Sequence, residues 1–203
     1  MTNKKEIIAV LDPMCSWCWG FEPVLQELRQ NLPQDTDLSI CMGGLRSNGD
    51  QAWTAEFRSF LKEHWTQVQL KTGQEFNLDF LNRSEFQYDT EPACRAVVSI
   101  RNMDKTKVFD YMYALQKAFY QDMQDITCTK ILSTIAEENG VNKKTFLELF
   151  NSQRIKEETQ ADKYKARSMG ANAFPSLVFI DEEGHLYVLK GYKDFQLIKK
   201  HLL

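Results

Sequence analysis

The chain has 203 residues, of which 43% are hydrophobic and 26% are charged, a composition close to the globular average that excludes a disordered or fibrous protein. Its 25 lysine and arginine residues are outnumbered by 28 acidic residues, for a net charge of −3. The sequence therefore offers neither a basic surface for nucleic acid nor a polybasic face for anionic membranes. No apolar run approaches the roughly 20 residues that a membrane-spanning helix requires.

The N-terminus and the cysteine count bear on the cellular compartment. The apolar run at residues 6–11 is too short for the core of a signal peptide, and Asp12-Pro13 follows where a small-residue cleavage site would lie. Five cysteines, an odd number, do not make the disulfide framework of a secreted domain. In a reducing compartment, closely spaced cysteines are more often catalytic or metal-binding. We therefore expect a cytoplasmic protein.

The N-terminal segment predicts a βαβ unit. Residues 6–11 form a short apolar run rich in β-branched side chains, which is typical of a buried strand. Apolar residues then recur at helical spacing as far as Leu32, and residues 37–42 alternate polar and apolar before Gly43-Gly44. Because strand, helix and strand follow each other closely, we expect the two strands to be parallel.

The middle of the chain, residues 51–169, has a helical pattern almost throughout. Its predicted buried faces are Ala52, Trp53, Phe57, Phe60 and Leu61, then Val108, Tyr111, Met112, Leu115 and Phe119, then Ile131, Leu132 and Ile135. Asn139-Gly140 predicts a helix end, and Asn142 predicts the N-cap of the next helix. The last helix of the block stops at Gly170. Asp162 lies on its apolar face, so we expect that helix to be only partly buried.

The C-terminal segment returns to strands. Residues 175–180 and 185–190 predict two strands joined by a short turn that contains glycine, which favours an antiparallel hairpin. Asp194 is the predicted cap of a closing helix that buries Phe195, Ile198 and Leu202. The order is thus βαβ, a helical block, then ββα. With no linker visible, we interpret the block as an insertion packed onto one sheet-centred α/β fold.

One motif carries reactive chemistry: Cys15-Ser-Trp-Cys18 between the first strand and the first helix. The free N–H groups and the positive dipole end of that helix would stabilise a thiolate at Cys15. Cys18, one turn further on, would be shielded yet close enough to form a disulfide. This placement favours a redox pair. The alternatives are half of a zinc site, for which no second pair of ligands has suitable spacing, and a buried inert pair. We expect no metal and no cofactor.

The segment Asp12-Pro-Met-Cys15-Ser-Trp-Cys18-Trp-Gly-Phe resembles the active site of the DsbA-like thioredoxin superfamily. It is most similar to the FrnE-like branch of predicted protein-disulfide isomerases. Pro23 matches the proline that interrupts the first helix in these oxidoreductases. Ala173-Phe174-Pro175-Ser176 resembles their cis-proline loop, which implies a cis peptide bond before Pro175.

The resemblance covers the whole chain and implies a thioredoxin fold, βαβ then ββα, with a large all-helical insertion as in DsbA. Residues 1–46 and 171–203 would form the thioredoxin-fold domain, and residues 47–170 the helical insertion domain. Two positions near the motif depart from the family pattern. Ser16-Trp17 replaces the histidine-containing pair of DsbA-like oxidants. The buried acid that thioredoxin and DsbA carry six residues before the first cysteine is Ala9, which leaves Asp12, Glu22 or water to accept a proton from Cys18.

Further residues are candidates for contact with substrate. Met14, Trp17 and Phe174 would contribute to an apolar collar around the cysteines, suited to apolar side chains of an unfolded polypeptide. A cis Pro175 would expose the backbone of Phe174 to a substrate strand. Thr90 either caps the helix that follows it or contacts substrate, as a helix start does in related glutathione-using enzymes.

Other residues near the motif have plainer interpretations. The loop Gly43-Gly44-Leu-Arg46 is either an ordinary turn or a loop that faces the active site. The remaining cysteines, Cys41, Cys94 and Cys128, are expected to be small buried hydrophobic residues.

Three functions follow as hypotheses. The first is a thiol–disulfide oxidoreductase or protein disulfide isomerase with Cys15 as nucleophile and Cys18 as resolving thiol, acting on protein or peptide thiols and disulfides, with glutathione as a further partner. The second is a glutathione-dependent transferase or isomerase similar to kappa-class transferases or hydroxychromene-carboxylate isomerases, which typically use serine in place of Cys15 and need no second thiol. The third is a non-catalytic holdase or metal-binding module.

Overall fold

The computed structural model describes residues 4–201. Its strands are β1 (Lys5–Leu11), β2 (Thr36–Met42), β3 (Ser176–Ile180) and β4 (Leu186–Lys190). Its α-helices are α1 (Ser16–Gln30), α2 (Ala55–Thr72), α3 (Glu91–Met103), α4 (Val108–Tyr120), α5 (Thr129–Glu138), α6 (Lys143–Phe150), α7 (Gln153–Ser168) and α8 (Phe195–Lys199). Leu202, predicted on the buried side of α8, lies outside the described residues.

The strands form one sheet in the order β2-β1-β3-β4. The pairs β1–β2 and β3–β4 are parallel and antiparallel, respectively, as predicted, and β1 also pairs antiparallel with β3. Side chains of β1 alternate between two buried clusters, with Ile7 and Ala9 on one side and Ile8 and Val10 on the other. The α/β fold with a helical insertion is therefore confirmed. The sheet combines two strands from the N-terminal segment with two from the C-terminal segment.

The predicted caps are found where the pattern is local. Asn142 accepts a hydrogen bond from the amide of Thr145, and Asp194 accepts one from the amide of Leu197. Gly140 follows α5 with a positive φ of 72°. The side chains of Asn142 and Asp194 thus accept amides that have no partner inside their own helices.

The predicted face of α2 needs correction. The helix begins at Ala55, so Ala52 and Trp53 precede it, and Phe60 is 43% exposed. Its buried residues are Phe57, Leu61, Trp65 and Val68. These four recur every three or four positions and so share one side of the helix. Phe60 lies at the border of that side, with its ring tilted against that of His64.

Residues 73–90 also differ from the helical prediction, because the segment contains only a short 3₁₀ helix at Leu78–Asn82. Aromatic rings fix it in place. Phe80 packs 4.7 Å from Phe119 of α4 and 5.0 Å from Phe86, measured between ring centroids. These contacts order the segment without the repeating hydrogen bonds of a helix.

The helical block and the sheet share one continuous hydrophobic core, which includes residues from β1, α1, α3 and α4. Domain boundaries at residues 46/47 and 170/171 stay a prediction. Within residues 4–201, none of the helices combines the length and apolar character needed to cross a membrane.

An ion pair joins the helical block to β2. Arg101 of α3 donates to both carboxylate oxygens of Asp162 on α7, at 2.7 and 3.0 Å, and also to the carbonyl of Ile40 at 2.9 Å. The same carboxylate accepts the amide of Met42 at 2.9 Å. Asp162, the polar residue on the otherwise apolar face of α7, thus has a full set of partners.

We expect Asp162→Ala to lower the free energy of unfolding by about 3 kcal/mol, because it leaves Arg101 largely buried without its partner. The matched control is Asp37→Ala, which removes an exposed pair with Lys4 and should cost about 0.5 kcal/mol. Urea unfolding measures both. Equal losses in the two variants would contradict the importance of the buried pair.

Candidate active site

The two cysteines of the motif lie at the start of α1. Cys15 is the N-cap residue, with extended backbone angles, and its carbonyl accepts the amides of Cys18 and Trp19 at 2.9 and 3.1 Å. Cys18 lies in the first turn. Only 5% of Cys15 and 2% of Cys18 is exposed. The motif therefore places both sulfurs at the positive end of the helix, with Cys15 nearer to solvent.

The surroundings of Cys18 favour its neutral form. Burial raises the pKa of the Cys18 thiol well above its usual value, and the hydrogen bond and negative charge of Cys15 raise it further. A backbone hydrogen bond at Asp12 works in the opposite direction. Cys18 must lose a proton before it can attack, so a nearby proton acceptor matters.

The loop before β3 faces Cys15. The Phe174–Pro175 peptide bond is cis, as the resemblance implied. The thiol of Cys15 lies 3.6 Å from the carbonyl oxygen of Phe174. Gly43 packs against the Phe174 ring, where an added Cβ would come within 2.2 Å of a ring carbon. The loop after β2 therefore faces the active site, the second of its two interpretations.

A carboxylate lies beneath these loops. Asp12 is fully buried and accepts the amide of Met14 at 2.9 Å, the amide of Leu45 at 2.6 Å and the thiol of Cys94 at 3.5 Å. Burial raises the pKa of Asp12, whereas hydrogen bonds from Leu45, Met14, Thr90 and Cys94 lower it. The outcome is a raised pKa, so Asp12 is a stronger proton acceptor than an ordinary carboxylate.

Glu22, the other acid named from the sequence, lies elsewhere. It is buried in a cavity between α1 and α4 that Arg29 and Asp110 also line. Burial raises the pKa of Glu22 to about 7, and a hydrogen bond from Gln26 opposes the shift. Asp12, whose charge and backbone both influence Cys18, is the better placed of the two acids.

The predicted substrate residues divide by exposure. Trp17 and Phe174 are partly exposed, and Trp17 packs against Tyr192. Pro175 is buried, and Met14 and Thr90 are fully buried. Contact of a substrate with either of the last two side chains would require the packing around them to open. The structure thus brings Trp17 and Phe174 to the surface beside the cysteines.

The side chain of Thr90 does not cap α3, although a helix cap was one of its two predicted roles. The residue has helical backbone angles and makes no side-chain cap hydrogen bond. The amide of Glu91 is instead accepted by the carboxylate of Asp89 at 2.9 Å. The hydroxyl of Thr90 accepts the amide of Arg46 at 3.3 Å, which fixes the loop that follows β2.

The other cysteines differ from one another. Cys41 and Cys94 are buried as predicted, and burial raises the pKa of Cys41 to about 12. Cys128 is exposed, so the prediction was wrong there. It precedes α5 as the N-cap residue, a position that the apolar periodicity does not reach.

Two tyrosines beneath the motif were not identified from the sequence. The hydroxyl of Tyr88 donates to the carbonyl of Met14 at 2.6 Å. Tyr120 is fully buried, and its ring stacks 6.1 Å from that of Trp19. Burial raises the pKa of both phenols. Neither tyrosine belongs to a local motif, so only the fold could reveal them.

The arrangement fits dithiol chemistry. It combines a cysteine sulfur at a helix terminus, a second thiol one turn away and a buried carboxylate nearby. In the part of the chain that the structure describes, no three His, Cys, Asp or Glu side chains are grouped to hold a metal ion.

Comparison with known proteins supports the same assignment. The family model described as Thioredoxin matches residues 9–200. The crystal structure of a candidate protein disulfide isomerase from Nitrosomonas europaea is 33% identical, with a TM-score of 0.90 over 98% of this chain and 96% of that one. The cytosolic disulfide reductase DsbM from Pseudomonas aeruginosa is 22% identical, with a TM-score of 0.77 over 91% and 89%. Its structure with glutathione gives 0.76.

One curated relative is named as an adapter protein rather than as an oxidoreductase. The ClpXP adapter protein SpxH of Halalkalibacterium halodurans is 22% identical over 204 residues, which cover 90% of this chain. The chain spans 65% of that relative's length. Taken with the fold and the cysteine pair, the family match is decisive: the chain belongs to the thioredoxin family.

Proposed function

We propose that the protein is a thiol–disulfide oxidoreductase of the protein disulfide isomerase type, with Cys15 as the nucleophile and Cys18 as the resolving thiol. The observation that carries the proposal is the position of the pair. Cys15 lies at the N-terminus of α1 beside the carbonyl of Phe174, and Cys18 lies below it as a thiol with a raised pKa.

The reaction has two exchange steps. The thiolate of Cys15 attacks one sulfur of a substrate disulfide, forms a mixed disulfide and releases the other substrate sulfur as a thiolate. Cys18 then loses its proton and attacks the sulfur of Cys15. The products are the Cys15–Cys18 disulfide and the second substrate thiolate. The substrate gains two electrons and the protein loses two, and a thiol reductant restores the dithiol.

Asp12 is our candidate for the acceptor of the Cys18 proton. Although position 9 is alanine, Asp12 supplies a buried carboxylate directly after β1, and its charge and backbone both act on Cys18. The raised pKa of Asp12 follows from burial. The carboxylate accepts a proton only when ionised, so this assistance is present above its folded-state pKa and lost as the pH falls through that value.

The proposed substrates are protein or peptide disulfides, with glutathione as a small-thiol partner and the cytoplasm as the compartment. The partly exposed rings of Trp17 and Phe174 beside Cys15 suit apolar side chains of a polypeptide. The likeness to a cytosolic reductase that has been crystallised with glutathione supports the small-thiol partner.

The competing transferase or isomerase chemistry uses a single active-site hydroxyl. The presence of Cys18, whose amide donates to the carbonyl of Cys15, favours disulfide exchange over that chemistry. Titration of thiols distinguishes them: mild oxidation of a redox pair should remove two titratable thiols.

The first prediction concerns the two cysteines. Cys15→Ser should lower disulfide turnover by at least about 10³-fold, because the covalent pathway loses its nucleophile. Cys18→Ser should accumulate a mixed disulfide, detected by mass spectrometry. Cys128→Ser, which alters an exposed cysteine away from the motif, is the control and should behave as wild type. Turnover by the Cys15→Ser variant at the wild-type rate would refute the assignment.

The second prediction concerns Asp12. Asp12→Asn should slow release of a preformed mixed disulfide by about 10²-fold, the lower range of general-base effects, and should alter the first attack by Cys15 much less. Glu22→Gln is the matched control. Single-turnover release, followed by thiol detection, measures the step, and circular dichroism checks folding. Release that is as fast as or faster than wild type would show that Asp12 only opposes ionisation of Cys18.

The third prediction concerns the reduction potential. Without a histidine between the cysteines, the thiolate depends mainly on the helix terminus, so the potential should lie between those of DsbA and thioredoxin, at about −150 to −230 mV. Equilibration with glutathione buffers measures it. The double substitution Ser16→Pro, Trp17→His should raise the potential. A wild-type value near the roughly −120 mV of DsbA would contradict the prediction.

A further inference from the structure

A polar cavity lies beside the active-site loops, between the loop after β2 and helix α7. Its volume is about 580 Å³. The described lining includes three cationic side chains, those of Arg46, Lys163 and Arg167, and one carboxylate, that of Asp50. The cavity thus has a net positive lining in a protein whose net charge is negative.

Lys163 is unusual among these residues. It is only 6% exposed. Nevertheless, within residues 4–201 its ammonium group has no carboxylate within 4.0 Å and no hydrogen-bond acceptor. The neighbouring Asp162 is occupied by Arg101. The ammonium lines the cavity with no anion of the described chain beside it, so the cavity presents a positive charge that an entering anion can pair with.

A buried hydroxyl lies in the same region. The hydroxyl of Ser47 is buried and has no hydrogen-bond partner among the described residues. Gly44 lies between it and Lys163, with φ +67°. A Cβ at this position would lie 2.6 Å from Oγ of Ser47 and 2.7 Å from Cε of Lys163. The absence of a side chain at Gly44 therefore lets a hydroxyl donor and an ammonium donor lie side by side.

The cavity is connected to the nucleophile through a short series of contacts. Gly44 follows Gly43, which packs on the ring of Phe174, and the carbonyl of Phe174 accepts the thiol of Cys15. An extended peptide advances about 3.5 Å per residue. A substrate whose sulfur is bonded to Cys15 would therefore bring its next residues over this loop and towards Lys163.

We propose that this cavity binds a carboxylate of the disulfide substrate, located one or two residues from the cysteine that exchanges with Cys15. The inference rests on the oxidoreductase function proposed above and specifies its substrates as acidic peptidic disulfides. Lys163 supplies a point charge, Arg167 a planar guanidinium and Ser47 a neutral donor, a set that suits a carboxylate. Two sources carry that chemistry: glutathione, or an acidic residue or C-terminus of a polypeptide.

The main test compares Lys163→Met with Lys156→Met, an exposed lysine on the same helix outside the cavity. Lys163→Met should raise the KM for glutathione disulfide roughly tenfold, the effect of losing one charge-assisted hydrogen bond, with little change in kcat. The KM for the neutral hydroxyethyl disulfide should not change. Lys156→Met should affect neither substrate. Equal effects on the charged and the neutral disulfide would overturn the proposal.

Peptide disulfides with Glu or Gln next to the cysteine separate the two sources of carboxylate. If Lys163→Met weakens both glutathione disulfide and the Glu peptide but spares the Gln peptide, polypeptide carboxylates use the cavity. If it weakens glutathione disulfide alone, the small peptide is the occupant. If it weakens neither, the proposal fails.

A binding measurement separates this proposal from the function on which it rests. S-methylglutathione keeps both carboxylates but has no exchangeable sulfur, so calorimetric titration reports the cavity without redox chemistry. Loss of its binding in Lys163→Met but not in Lys156→Met supports the site, even if wild type reduces no disulfide. Turnover by wild type with unchanged titration in Lys163→Met overturns the site alone. If Lys163→Met does not fold, Arg167→Gln replaces it and should raise the KM for glutathione disulfide about threefold.

Discussion

The carboxylate of Asp12 accepts hydrogen bonds from the amides of Met14 and Leu45 and from the thiol of Cys94. It thereby ties the end of β1 to the loop after β2 and to α3. A buried carboxylate requires such donors, because it has left water and must be compensated inside the protein. The position of that loop depends on these bonds, and so does the packing of Gly43 on Phe174 beside Cys15.

The sequence was sufficient for elements whose signals are local. The two strands of the hairpin and β1 stand out as apolar runs bounded by turn residues. The caps Asn142 and Asp194 act on amides three residues away. The cysteine motif was also legible, because its meaning depends on a strand before it and a helix after it. Such features need no knowledge of the rest of the chain.

Features that depend on distant partners could not be predicted. Thr90 has the residue type of a helix cap, but its hydroxyl accepts an amide 44 positions away. In the sequence, Asp162 interrupts an apolar helix face. Its ion pair with Arg101, 61 positions away, is visible only in the fold. Lys163, the next residue, has no such partner in the described chain. Of these two neighbouring charges, one is paired within the described chain and the other is not. No local sequence pattern distinguishes them.

The low exposure of Cys15 has a consequence for the shapes of molecules that reach its sulfur. Only 5% of Cys15 is accessible, and the rings of Trp17 and Phe174 lie beside it. A disulfide set into a flat folded surface would meet those rings before its sulfur met Cys15. A disulfide on a projecting loop or an unfolded segment can enter. In the proposed function, the restricted access to Cys15 would select disulfide substrates by their local shape before any bond is exchanged.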